Sequence, residues 1–572
     1  MATGCGIGRG LLCTLLVLVG SLSTWLGVPG HEREVASVLP VVLASLGAAE
    51  EEATGAWSLR SKQEHAGAVA IMKLCESSPA AVVGSSSLSR ILDALHGFAS
   101  REPCVRSGLS KRSSSLLLVA AADLVAHVCV TPSAQRQDDN ALVNGLLGPP
   151  LSLLEQASRG GGGDALHDAA RAAERLSIVL PRIPSALQQQ AATMLAPWQE
   201  ALIHLLCSTH DDAAVGACDA IAALCAGCCA RAASLVPSFA VAAWSCFAAR
   251  PKLAFKLADA LGRCASMSTV VQEDQGAPTQ LSSACSAASE LVMRIAAAMS
   301  ALPSPASSDE YMEQQSLLAE LFDLASAWTA IDAAHAQGLA AVLSPSLPMI
   351  FGVLWQTMHR IPPHDALETQ RGVLALKRGL LLLQRAQAST PAGCALYSAL
   401  MLAPASPVDN GAQAEGGSQL PAVQLMRAVL EGLSSWFPSW LLSDVVAALW
   451  ALRQVGEAEF ANCVRLAFAA DGVPRHGITT DQKSNFERQL TVDAKTKSAF
   501  KAALKQCCGG ALAPRTTDIH THAHARACPT DILAPAHGTH HAQKACHPCV
   551  GSQARKRVAQ ARHQWRDTYL RT

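Results

Sequence analysis

Residues 436–452 read Trp436-Phe437-Pro438-Ser439-Trp440-Leu441-Leu442-Ser443-Asp444-Val445-Val446-Ala447-Ala448-Leu449-Trp450-Ala451-Leu452. Leu441, Val445, Leu449 and Leu452 recur at helical spacing and form one continuous apolar stripe. Trp450 falls beside the stripe and is expected to lean on an adjoining helix, with Phe460, Phe468, Phe486 and Phe500 closing the layer from the next repeats. Three of the ten tryptophans lie in this one segment. So many large side chains suit a capping region of a repeat array, whose outer face must be sealed.

The same pattern extends through the chain. Apolar residues at i, i+3, i+4 and i+7 run for about 12–20 residues and then break at Pro, Gly, Ser or Asp. Glu34–Leu46 and Lys62–Glu76 are two such helices. Further ones are expected over 88–99, 114–130, 141–157, 165–179, 186–206, 212–230, 237–248, 251–266, 281–301 and 309–328. They continue over 334–358, 365–386, 420–436, 440–455, 457–468, 480–490 and 493–507. Short polar breaks make consecutive helices antiparallel neighbours. Helix pairs of roughly forty residues are the period of HEAT or armadillo arrays. The fold class is therefore all-α, an α-solenoid of HEAT/armadillo-like helical hairpins.

Composition agrees. Half of the 572 residues are apolar, 16% are charged and 4% aromatic, which is far too apolar for a disordered chain. With Phe at 11 and Tyr at 3, strands are poorly supplied while Ala and Leu favour helices. The 45 basic residues cancel the 45 acidic ones, which argues against a dedicated nucleic-acid binder with its need for a basic surface. Twenty cysteines, diluted through apolar helical stretches, read as reduced thiols rather than a disulfide framework.

Arg9 followed by Leu11–Gly20 has the basic and apolar regions of a signal peptide, and equally suits a core-facing helix running on through Trp25 to Gly27 and Pro29. Gly160–Gly163 and the Pro-, Gly- and Ser-rich stretch 405–418 read as loops between helices. From Ala511 the apolar period stops and histidines accumulate, from His520 to His547. The domains are thus a solenoid over 1–508 and a disordered, His-rich, low-complexity tail over 509–572.

No catalytic constellation stands out. Gly160–Gly163 is followed by Asp164 and follows a helix, unlike a phosphate-binding loop. Cys225-Ala226-Gly227-Cys228-Cys229, with Cys218 upstream, contains a C-x-x-C spacing. No strand precedes it and no second ligand pair follows, while Cys218, Cys225 and Cys229 share one helical face as small apolar fillers. Cys546-His547-Pro548-Cys549 with Cys528 and His540 or His541 could close a zinc site, which needs four ligands, but the surrounding sequence has almost nothing to bury around a metal. No catalytic residue, cofactor or metal is expected, and the chain reads as a non-enzyme.

Residues 436–452, as quoted above, resemble a carboxy-terminal helix pair of karyopherins in the transportin-SR and importin 13 branch of the importin-β family. There a Phe-Pro step leads into a helix carrying Asp-Val and Leu-Trp. Phe460, Thr479–Leu490 with Phe486, and Lys497–Cys508 are similar to the last repeats of the same proteins. At the other end, Leu16–Leu26 with Trp25, then His31, Val35–Leu46 with Leu39-Pro40, and Ala68–Glu76 ending Leu74-Cys75-Glu76 resemble the family's mid-chain repeats. The resemblance favours a repeat helix over a signal peptide for Leu11–Leu26, with Leu16, Leu18 and Trp25 buried against Val35–Leu46. The family-matching positions are Trp25, Leu39, Pro40, Leu74, Cys75, Glu76, Phe437, Pro438, Asp444, Val445, Leu449, Trp450, Phe460 and Phe486.

What the resemblance implies is a nuclear transport receptor shuttling between nucleus and cytoplasm. It would bind protein cargo without catalysis, with nucleoporins and the Ran GTPase as further partners. The family's amino-terminal repeats, which carry its principal Ran-GTP surface, have no counterpart in this sequence, and residue 1 aligns near the family's middle. The other reading is a HEAT or armadillo scaffold with no transport role. In transportin-SR proteins an arginine-rich helix grips phosphorylated Arg-Ser domains; the stretch that aligns here, Asp211–Leu224, holds no arginine, and the next is Arg231. Without guanidinium forks to chelate phosphate, a phosphorylated Arg-Ser peptide is expected to bind no more tightly than its unphosphorylated form. Titration of both peptides at two salt concentrations checks this, and a salt-sensitive preference for the phosphopeptide contradicts it.

Overall fold

Prolines mark many of the helix starts. Pro79, Pro251, Pro278, Pro391 and Pro421 each occupy the first position of a helix, where the amide they lack has no intrahelical partner. The computed structural model describes residues 2–47, 57–85, 91–93, 95, 108–130, 139–159, 163–228, 232–272, 278–330, 333–367, 369–386, 390–402, 420–469, 473 and 479–507. All of them lie within the unit Met1–Arg515. Among the described residues there is no strand.

The helices are α1 (Ala2–Leu26), α2 (Glu32–Gly47), α3 (Trp57–Ser77), α4 (Pro79–Ser85), α5 (Gly108–Val130), α6 (Asp139–Arg159), α7 (Gly163–Val179), α8 (Gln188–Leu195), α9 (Gln199–Leu206) and α10 (Asp211–Gly227). They continue as α11 (Val236–Phe247), α12 (Pro251–Gln272), α13 (Pro278–Ser300), α14 (Ser308–Thr329), α15 (Ala333–Leu343), α16 (Leu347–His359), α17 (His364–Leu367) and α18 (Leu374–Leu383). The last are α19 (Pro391–Met401), α20 (Pro421–Ser435), α21 (Leu442–Val455), α22 (Glu457–Phe468), α23 (Thr480–Arg488) and α24 (Lys497–Cys507). One layer stacks in chain order as α1, α3, α5, α7, α10, α12, α14, α18, α21 and α24. A second layer runs α9, α11, α13, α16, α20 and α22, with hairpins such as α6–α7, α9–α10, α11–α12 and α21–α22 linking helices. Each helix touches helices near it in the sequence, which is the packing of a helical-repeat solenoid.

Small residues let adjacent helices approach. On α10, Ala213, Ala217, Ala220 and Ile221 are fully buried, and a Cβ on Gly216 would press on the Ala170 carbonyl at 3.1 Å. Larger residues anchor the middle. Trp328 of α14 is fully buried and donates its indole N–H to Asp259 of α12 at 2.8 Å, across Gly262.

At the carboxy end Leu441, Val445, Leu449 and Leu452 are buried as one stripe. Trp450 meets Phe500 of α24 edge-on at 5.6 Å between ring centroids, and Phe460 tilts against the same ring at 6.1 Å. Arg453, 5% exposed, ties α21 to the turn ahead of α24. It donates to the carbonyls of Ala494 at 2.5 Å and Thr491 at 3.0 Å, pairs with Glu457 at 2.9 Å, and lies over the Trp450 ring. The Phe-Pro step acquires a cause here: the Phe437 amide donates to the Gly432 carbonyl at 2.7 Å, and its ring lies where a Cβ on Gly432 would be.

Several expectations need correction. Leu16 is buried, but Leu18 and Trp25 are 51% and 52% exposed, and α1 packs chiefly along α3 rather than on α2. Gly20 permits that approach, standing against Ala70. Helices expected to run unbroken are interrupted at Pro197, at Pro345 and around Thr369, where a 3-10 turn replaces the ladder. The last helix begins at Lys497 rather than Asp493, because Gln489–Asp493 forms a π-turn. Helices α4 and α19, not foreseen in the sequence, fill gaps between longer ones. The tail 509–572 and most of the two expected loops lie outside the described residues.

One helical run, Gly338–His359, is long and apolar enough to cross a membrane by length and composition, yet 56% of its window is buried inside the protein and Ser344–Ser346 breaks it. Its Leu347, Ile350, Phe351 and Leu354 belong to the core. Leu449→Ala is expected to lower the free energy of unfolding by about 2–5 kcal/mol. Leu18→Ala, on the exposed face of α1, should change it by no more than about 0.5 kcal/mol. Urea unfolding of both variants measures the contrast.

Candidate functional site

A polar cleft lies where α18 meets α21. Thr369 begins it: its hydroxyl accepts from the Gly372 amide at 3.1 Å, capping the 3-10 turn Gln370–Val373 that places Arg371 at the mouth. Gly372 is required there, since a Cβ would collide with the Ala366 carbonyl. The turn runs into α18, whose buried side is Ala375, Leu376, Leu380 and Leu383. The opposite side carries Leu374, Lys377, Arg378, Leu381 and Gln384 into the cleft, at spacings that put them on one helical face. Asp444 of α21 closes the far wall. The cleft encloses about 450 Å³.

Three cations therefore face one carboxylate. Arg378 is held by Asp323 of α14, Nε to Oδ1 at 3.4 Å. Loss of water raises the Asp323 carboxyl above its ordinary range, and the Arg378 charge partly offsets this. Lys377 extends its ammonium over the Trp440 ring, 5.9 Å from the centroid, and Trp440 is 37% exposed. Lys501 of α24 donates to Ser443 at 3.1 Å, which carries positive charge past Asp444. None of Arg371, Lys377, Arg378 and Lys501 was singled out in the sequence. The one signal was a Lys-Arg pair inside an otherwise apolar helix, and Asp444 comes from a repeat far along the chain.

The family-matching residues do not gather in one site. Leu39, Leu74, Cys75, Phe437, Val445, Leu449 and Phe460 are buried core residues. Trp450, Phe486 and Pro438 are half-buried, and Pro438 begins the 3-10 turn Ser439–Leu441. The Trp25 ring lies tilted against His31 with 3.9 Å between centroids, while Pro40 and Glu76 are exposed. Asp444 alone reaches the cleft. On α10, Asp211 pairs with Arg250, just ahead of α12, at 2.8 Å, and Asp219 pairs with Lys256 of α12 at 2.5 Å.

The buried thiols are packing residues. Cys218 and Cys225 are buried, Cys228 likewise, and Cys229 lies outside the described residues. Burial pushes Cys218 up to about 12 and Cys463 to about 11, and raises Cys75 further with help from Asp123. A hydrogen bond with Cys225 and burial both raise Cys264. Among the described residues no group of His, Cys, Asp or Glu could hold a metal ion; the Cys528–Cys549 set lies outside them. Since only thiolate reacts, iodoacetamide at pH 7 should modify the exposed Cys207 and Cys394 at least about a hundredfold faster than Cys75, Cys218, Cys264 or Cys463. Mass spectrometry resolved by site, with and without denaturant, measures those rates.

No protein-family model and no curated protein sequence matches the chain. Among solved structures the chain is similar to importin-13 in its cytosolic state, at 12% sequence identity and a TM-score of 0.42. The similarity covers 87% of this chain and 49% of that one, so the chain spans about half the length of that structure. It is a likeness of fold.

Proposed function

We propose that this protein is a non-catalytic transport receptor of the karyopherin type, carrying protein cargo between cytoplasm and nucleus on its array of helix pairs. The observation that carries this reading is the resemblance of two separate stretches, Leu16–Glu76 and Trp436–Phe486, to repeats of one family. Support comes from where those residues sit: Leu39, Leu74, Phe437, Leu449 and Phe460 are the buried positions that set the helix pairs. A stacked array offers a long surface to a folded cargo and bends by small changes at each repeat contact. Nucleoporins are the partners such a receptor meets on its way through the pore.

The second reading is an interaction scaffold built on the same array, with no transport role. Permeabilised cells separate the two. Fluorescently labelled protein, at 59.6 kDa, is expected to enter nuclei faster than an inert protein of equal mass and to concentrate at the nuclear rim. Entry no faster than the inert control would favour the scaffold.

A further inference from the structure

We propose that the cleft between α18 and α21 is a docking site for a short acidic segment of a partner protein, in which carboxylate side chains flank an apolar one. The inference rests on the chain being a protein binder and not on its role in transport.

The chemistry of the walls selects this occupant. Arg371 and Arg378 present guanidinium forks, the geometry that chelates carboxylates. Arg378 gives one edge to Asp323, which fixes its direction and leaves donors for a ligand. Arg371 and Lys377 make no ion pair among the described residues. Between the cations Leu374 and Leu381 are half-buried and form an apolar floor, and the half-exposed Trp440 offers a shelf beside Lys377. A ligand of charge alone would leave that floor wet, whereas an apolar side chain between two carboxylates covers it.

Size and local charge narrow the choice further. From Leu374 to Gln384 the helix face is about 15 Å long at about 1.5 Å per residue. An extended peptide covers that length with about five residues. A nucleic acid fits poorly: it needs cations in register along a phosphate track, and here Asp323 and Asp444 stand at the edges of the cluster. The whole chain has no net charge, so the positive potential is a property of this cleft and not of the molecule.

The test is fluorescence anisotropy with the full chain and a labelled peptide of about eight residues, alternating pairs of Asp or Glu with Leu. Three comparisons accompany it: the Asn/Gln isostere of the peptide, the double variant Arg371→Glu with Lys377→Glu, and the remote variant Arg263→Glu. Saturable binding is expected, at least about tenfold weaker for the isostere and for the double variant, unchanged in Arg263→Glu, and falling as salt is raised. The milder pair Arg371→Gln with Lys377→Gln, checked by circular dichroism, replaces the reversal if that variant does not fold.

Absence of saturable binding, an isostere or double variant that binds as tightly, or an equal loss in Arg263→Glu overturns the proposal. So does a single-stranded RNA of equal charge that displaces the peptide more effectively than unlabelled peptide. The nuclear-entry measurement is independent of these titrations, so failure of the transport role and failure of this site give different results.

Discussion

Each helix of this protein is stable only between neighbours, and that need for cover on two sides organises the rest. An isolated helix of this length is marginal in water, so the apolar stripe must be buried against another element. On α10 the stripe is broad enough that α7 lies against one side and α12 against the other, with Ala and Gly at the closest approaches. Because successive helices repeat the arrangement, the chain forms two stacked layers whose contacts remain local. Where no described neighbour stands, apolar residues remain exposed: Leu11, Leu15, Leu18, Leu22 and Trp25 line one face of α1. At the other end aromatic rings and a buried arginine do the covering, through Trp450, Phe460, Phe500 and Arg453.

Arg453 and the cleft show two uses of positive charge on adjoining helices. Arg453 is desolvated, so its donors must be satisfied, and two backbone carbonyls and Glu457 do so. Removing it would take a buried donor from those carbonyls, which makes it a structural residue. Lys377 and Arg378 stand on a face that water reaches, Arg378 against Asp323 and Lys377 over the Trp440 ring. Cations that remain hydrated contribute little to stability. Their grouping around an apolar floor is better explained by what the cleft receives than by what holds it together.

The repeating apolar period, the scarcity of aromatic residues and the Pro and Gly breaks were enough to determine an all-helical array and most of its helices. Local chemistry is legible in that way because a stripe at helical spacing and a proline at a helix start act within a few residues. The buried Leu441-Val445-Leu449-Leu452 stripe and the packing of Trp450 on an adjoining helix followed from spacing alone. Tertiary structure decided which of several apolar faces meets a neighbour. Helix α1 is apolar on more than one side, so periodicity could not say that Leu16 would be covered and Leu18 and Trp25 left open. It also decided where long runs break, since Pro197 and Pro345 sit inside apolar patterns that continue across them. The cleft was beyond the sequence for the same reason: Asp323, Arg378 and Asp444 belong to three helices far apart in the chain, and only the stacking of α14, α18 and α21 brings their charges to one surface.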